Sequence, residues 1–324
     1  MCGNNRRGVG MTYFDEIMKM HPVRNRALQK EAFRKWALKE AARNGCEGRI
    51  EENDGHANIV IGDMDRAKAV FTAHYDTPWE SIFPNFMLPR ARGLYYLYQM
   101  LIIAALLVFG FAAAGLFMLC VKLDYTVVSN RLAPLAVFMV VYYALFFLIF
   151  RTFVNRNNAN DNTSGVACVL ETMKKIPENL RENVLFVLFD DEEKGKKGSK
   201  AFFKAHSETL SNLPVINFDC VGFGRHPVFI VKEALEKTEA YAAFEKTYGT
   251  LENASIFSAK KARANSDQMS FPMGTGVMTC EKTKRGLLYV GRIHTRRDTV
   301  VDQENIRMLS DASAEFVLSM EDQP

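Results

Sequence analysis

The chain has 324 residues, 48% of them hydrophobic and 24% charged, with a formal net charge of +4. That length allows one large domain or two smaller ones, and the composition is that of a globular protein. The 41 basic side chains are interspersed with 37 acidic ones, which excludes a charge-built nucleic-acid surface and makes nucleic acid an unexpected partner.

In chain order, the N-terminus has no apolar stretch of signal-peptide length. Arg6–Arg7 lack the hydrophobic segment of a twin-arginine signal, and Gly3 is misplaced for myristoylation. Residues 23–44 carry apolar side chains at helical spacing (Ala27, Leu28, Ala32, Phe33, Trp36, Ala37) and stop at Gly45. Residues 57–62 and 69–73 read as short strands around a turn at 63–66.

Residues 93–121 form a run of 29 without a charge, and residues 132–150 an uncharged run of 19. At about 1.5 Å per residue the first crosses a hydrocarbon core of about 30 Å with tilt, and the second just reaches. Tyr95, Tyr96 and Tyr98 fall where an interfacial aromatic belt would lie. The ten-residue connector is too short for a domain, so a transmembrane helical hairpin spanning 93–150 is expected, with the lipid bilayer as partner. Arg90, Arg92, Arg151 and Arg156 outside the hairpin, against Lys122 and Arg131 in the connector, put both flanks on the cytoplasmic side.

Beyond the hairpin, residues 162–175 read as a helix ending before Pro177, and Val184–Phe189 as a strand covered on both faces. A helix at 199–206, strands at 215–218 and 228–231, a helix at 233–248, a strand at 287–293 and a helix at 305–320 follow. The alternation predicts an α/β fold, a three-layer α/β/α sandwich with a mixed, largely parallel sheet. Residues 1–92 and 151–324 make one discontinuous domain, with 93–150 as the insertion. The six cysteines lie far apart with no Cys-x-x-Cys pair, so no disulfide framework is expected and reduced thiols fit a cytosolic environment.

Several polar clusters follow predicted strands, where reactive groups gather in such sheets. His74 and Asp76 sit two apart at a strand end, where alternate side chains share a direction and a carboxylate can orient a metal-binding imidazole. Asp161 lies in Asn160-Asp-Asn-Thr-Ser-Gly165, whose plainer use is a helix cap by Asp161 or Thr163. Asp190, Asp191, Glu192 and Glu193 follow the most apolar strand; four successive acids need cations or solvent to compensate them. Asp219 ends Val-Ile-Asn-Phe-Asp, and His294 stands beyond the strand at 287–293. Each cluster alone is weak, but together and in this order they point to a pair of metal ions with nitrogen and oxygen ligands.

The order of these segments resembles metallopeptidase family 28, the co-catalytic zinc aminopeptidases related to glutamate carboxypeptidases and glutaminyl cyclases. The carrying motifs are HYDT, NANDNTSGVA, FDDEEKGKKGS, INFDCVG and IHTRRDT, with NSDQMSF similar to a substrate-side loop. They span about residues 57–320, excluding the hairpin. The resemblance implies a zinc-peptidase-like fold, a peptide substrate and two Zn2+ ions. His74 and Asp219 would hold one ion, Glu193 and His294 the other, and Asp161 would bridge both. It further implies Glu192 as general base in hydrolysis by a metal-activated water, with Asp76 orienting His74.

Two departures bear on function. Between His74 and Asp161 lie 86 residues, most of them hairpin, which predicts a catalytic cleft on the bilayer-proximal side. Asp191 replaces a glycine often seen before the paired glutamates and adds charge beside the base. The cluster Lys194, Lys196, Lys197 and Lys200 reads as a solvated face, and His21, His56, His206 and His226 as surface or structural. A glutaminyl cyclase-like acyltransferase and a non-catalytic peptidase-fold scaffold remain as alternatives. Retention of all five ligands and the base argues against the scaffold.

Overall fold

The computed structural model describes residues 11–321 except 125 and 152, so Cys2, Gly3 and Arg6–Arg7 lie outside the described residues. The chain opens with helix α1 (Tyr13–Met20), not foreseen from the sequence, and helix α2 (Ala27–Arg43), slightly shorter than the helix expected at 23–44. The hydroxyl of Thr12 caps α1, accepting from the Asp15 N–H. Strand β1 (Gly48–Asn53) pairs antiparallel with β2 (His56–Ile61) through a tight turn at Asp54 and Gly55, both at positive φ. Then come β3 (Ala69–His74), the short β4 (Phe86–Met87), and the long helices α3 (Arg92–Cys120) and α4 (Val128–Phe150).

Helix α5 (Gly165–Lys175) starts three residues later than predicted, because Asp161 and Asn162 have non-helical backbone. The one-turn α6 (Glu178–Arg181) precedes β5 (Val184–Phe189), followed by α7 (Lys197–Ala205), the one-turn α8 (Ser207–Leu210) and β6 (Val215–Phe218). Strand β7 (His226–Val231) leads to α9 (Glu233–Glu236) and α10 (Glu239–Tyr248), a pair where one helix at 233–248 was expected. Strands β8 (Ser255–Ser258), β9 (Gly274–Lys282) and β10 (Leu288–Gly291) and the C-terminal helix α11 (Gln303–Glu321) complete the chain.

The sheet is mixed, as expected. Its centre, β5-β3-β6-β9, is parallel, and antiparallel strands flank it on both sides. Strand β5 shows why three layers form. Val184, Phe186 and Leu188 pack into a core with α1, α2, α5, α10 and α11, while Leu185, Val187 and Phe189 pack beneath α7 and α8. All six residues are buried, and at about 25 cal/mol per Å2 such a strand anchors both layers.

Strand β9 has no counterpart among the strands expected from the sequence. A Cβ on Gly274 would strike the Gln268 carbonyl and one on Gly276 the Gln268 side chain, so both glycines let the 266–270 segment lie against the strand.

Helices α3 and α4 form an antiparallel pair. Ile102, Leu106, Gly110 and Ala114, four residues apart, are the buried stripe of α3, and Gly110 lies against the ring of Phe138. Helix α4 has no buried residue, and both helices expose large apolar side chains such as Phe109, Phe111, Val140 and Phe147. Both are long and apolar enough to cross a membrane. Among the described residues the cysteines are free.

Candidate metal centre and active site

His74 is the last residue of β3, and its buried ring projects beyond the carboxyl end of the parallel strands. Nδ1 lies 3.1 Å from the Asp76 carbonyl oxygen and 3.4 Å from Asp76 Oδ1, while Nε2 faces Asp161 Oδ1 at 3.3 Å and Asp219 Oδ1 at 3.8 Å. The Asp76 carboxylate is a poorer partner for the imidazole than its own backbone carbonyl. It instead accepts the backbone N–H groups of Glu192 at 3.0 Å and Glu193 at 3.2 Å.

Asp161 does not cap a helix. The two asparagines beside it stitch its loop to the segment after β6. Asn162 donates to the Phe218 carbonyl at 2.9 Å, and Asn160 Oδ1 accepts the Gly222 N–H at 2.7 Å. The capping role falls to Asn162, whose Oδ1 accepts the Gly165 N–H at 3.0 Å. Held this way, the Asp161 carboxylate points its two oxygens in different directions: Oδ1 toward His74, and Oδ2 toward His294 Nε2 at 3.0 Å. His294, at a φ of 54°, also has Glu193 Oε1 at 3.3 Å from Nε2.

Two groups of potential ligand atoms therefore come together, His74–Asp161–Asp219 and Asp161–Glu193–His294, and they share Asp161. Glu192 also approaches His74 and Glu193. Oxygens Glu193 Oε1 and Asp219 Oδ1 are buried and, despite those nearby imidazoles, make no hydrogen bond. Two atoms bound to one tetrahedral zinc at about 2.0–2.1 Å stand about 3.3 Å apart. The spacings of 3.0–3.8 Å here fit that requirement, as does the nitrogen and oxygen donor set.

The electrostatics express the same demand for positive charge. Burial disfavours charged imidazoles, yet the carboxylates of Asp161 and Asp219 raise His74, and Glu193 and Asp161 raise His294, well above the ordinary histidine range. Burial also opposes the charge on Asp161, but His294 and His74 hold its carboxyl well below the usual range. Burial, with neighbouring acids, raises Glu192 and Glu193.

Four contributors were not recognised from the sequence. Asp298 accepts the backbone N–H groups of Asn160 at 2.8 Å and Asp161 at 3.0 Å, and burial pushes its carboxyl up to about 7. Asp267 is fully buried, neither of its oxygens has a hydrogen-bond partner, and burial pushes it up to about 7 as well. Its segment is held by Asn217, which donates to Ser266 Oγ and Gln268 Oε1. Arg24, fully buried, donates to the Tyr75 carbonyl at 2.5 Å and to Thr163 Oγ1 at 3.0 Å, joining the His74 strand to the Asp161 loop.

Lys30, on α2, reaches Asp190 and Asp191, each at 2.5 Å. Asp191 also meets His56 at 2.9 Å and Lys194 at 2.9 Å. Its charge is thus compensated locally instead of adding to that beside Glu192. His56 is structural, as expected, and so are His206, paired with Glu51, and His21, which packs edge-on against Phe33.

Glu193 and His294 line a cavity of about 260 Å3. Its other walls are the 79–85 loop, Tyr95, Gln99 and Ile102 of α3, and Phe150 and Arg151 at the end of α4. The cluster therefore opens toward the base of the long helices, on the side expected from the point of insertion.

The model of peptidase family M28 matches residues 151–317. No curated protein matches the chain at a significant level. The fold is similar to that of the LapA aminopeptidase of Legionella pneumophila, at 12% identity and a TM-score of 0.56 over 96% of this chain and 68% of that one. It is also similar to the glutaminyl cyclase of Porphyromonas gingivalis, at 13% identity and a TM-score of 0.53 over 96% of each chain. A Zn-dependent exopeptidase from Parabacteroides distasonis aligns at 14% identity and a TM-score of 0.53, over 94% of this chain and 95% of that one. Because the family match extends over more than half of the sequence and takes in Asp161, Glu192, Glu193, Asp219 and His294, the chain belongs to peptidase family M28.

Proposed function

We propose that the chain is a zinc-dependent exopeptidase of the aminopeptidase type, held in a membrane by α3 and α4. His74 and Asp219 would hold one metal ion, Glu193 and His294 a second, and Asp161 would serve both. The observation that carries this assignment is the divided carboxylate of Asp161, one oxygen toward each histidine. When bound, zinc supplies positive charge that acidifies a water and polarises the scissile carbonyl.

Glu192 is the general base. It takes a proton from the attacking water and delivers it to the leaving amine, from a position close to His74 and Glu193. Asp76 sets the Glu192–Glu193 backbone and flanks His74, so that base and ligand keep their relative positions. Two ligand sets sharing one carboxylate favour hydrolysis over glutaminyl cyclisation, a reaction associated with a single zinc.

Residues 1–92 and 151–324 form one peptidase domain, interrupted by the hairpin at 93–150. The 29 residues of α3 and 23 of α4 extend about 43 and 34 Å, enough to cross the bilayer. The arginines outside the hairpin favour a cytoplasmic catalytic domain. Full-length protein in detergent, assayed on a panel of aminoacyl amides and peptides alongside metal analysis, tests the proposal. Release of N-terminal residues is expected, lost by a factor of about 100 or more in Glu192→Gln with metal retained. Full activity in that variant would remove Glu192 as the base, and no cleavage of any substrate by wild type would remove the peptidase assignment.

A further inference from the structure

The cavity that reaches Glu193 and His294 is walled in part by the hairpin. Phe111 packs tilted against Phe138 with ring centroids 4.7 Å apart, and this pairing puts Gln99 and Ile102 at about the level where α4 ends in Phe150 and Arg151. The loop between is tied to both sides: the Ile82 N–H donates to the Ile149 carbonyl at 3.2 Å, and the Ser81 N–H to the His294 carbonyl at 2.7 Å. Phe83 and Arg151 line this cavity, and the exposed Ile82, Phe153 and Arg296 line a neighbouring one that shares Ser81 and Pro84 with it. Apolar side chains rimmed by arginines, continuous with helices that expose apolar residues along their length, belong in the headgroup layer of a bilayer.

We propose that the site takes its substrates from the bilayer surface, as peptides that partition into the membrane through an apolar segment beyond their first residues. This rests on the peptidase assignment and on the hairpin crossing the membrane. The N-terminal residue lies against Ile102 and Phe150, and its carbonyl reaches the side of the cavity formed by Glu193 and His294.

Trp79 lines the same cavity and reports its depth. The full chain carrying Trp36→Phe, reconstituted in vesicles of lipid brominated high on the acyl chain, leaves Trp79 as the sole tryptophan. Its emission is expected to fall at least twofold relative to unbrominated vesicles. Unchanged emission overturns the inference and leaves the peptidase assignment standing. With the wild-type protein, two peptides sharing their first four residues, one with an acylated tail and one with a polar tail, are compared in vesicles at equal free concentration. At least tenfold faster cleavage of the acylated peptide is expected, and equal rates overturn surface access. Cleavage of neither peptide overturns the peptidase assignment and this inference with it.

Discussion

Asp76 Oδ1 accepts the backbone N–H of Glu192 at 3.0 Å, and the partner oxygen accepts that of Glu193 at 3.2 Å. The segment after β5 is thereby fixed by a residue two positions beyond the end of β3. Asp76→Asn keeps one acceptor and turns the other side of the group into a donor, so one of these two N–H groups loses its partner. A loss of about 10–100-fold in kcat/KM or metal affinity is expected. Steady-state kinetics with zinc titration measures it, and wild-type values for both would show that Asp76 is dispensable.

Asp161 faces both histidines, whereas His294 belongs to one ligand group only. Asp161→Asn should therefore deplete both ions, while His294→Ala should deplete one. Atomic absorption on protein exchanged into metal-free buffer separates the outcomes. Identical zinc content in the two variants would contradict a bridging carboxylate.

Lys30 is buried between Asp190 and Asp191, with side chains 7–9% exposed. Lys30→Met removes the cation and leaves two nearly buried carboxylates, a change that costs about 3–5 kcal/mol. Chemical denaturation should show that loss, and Lys30→Arg should recover part of it. An unchanged midpoint in Lys30→Met would mean that Lys194 and His56 suffice as partners.

Glu321, at the end of α11, accepts from Lys68 Nζ at 2.8 Å and from Asn183 at 2.9 Å, and the Lys68 hydrogen bond lowers its carboxyl below the ordinary 4.5. A lowered folded-state value means the contribution is complete above pH 4.5 and disappears as pH falls through that lowered value. Glu321→Gln should cost about 0.5 kcal/mol at pH 7 and nothing at the acid end. Denaturation of both proteins across that range checks it; a difference independent of pH would exclude the ion pair as its source.

Most of the metal-ligand candidates were legible because they stand at or beyond the end of a strand marked by its apolar run, as Val184–Phe189 marks Glu192 and Glu193; Asp161 stood out only through its motif. Lys30 was not, since α2 meets the acids after β5 only through the tertiary fold. Asp298 was hidden by the arginines before it, and Asp267 by a loop whose burial no local pattern announces. Strand β1 was missed because an edge strand needs little apolar character, although the Asp54–Gly55 pair did signal a hairpin. Strand β9 was missed for the opposite reason: its glycines serve the neighbouring segment and not the strand.

The placement of the hairpin between His74 and Asp161 also constrains how the protein is made. On the ribosome the first histidine emerges before either long helix, and the remaining ligands only after both. If both helices cross, two successive crossings would return the nascent chain to the compartment it left, so either orientation would reunite the halves. With the proposed ligands and membrane crossing, maturation with metal would follow membrane integration, and any truncation that keeps all five ligand candidates would keep α3 and α4.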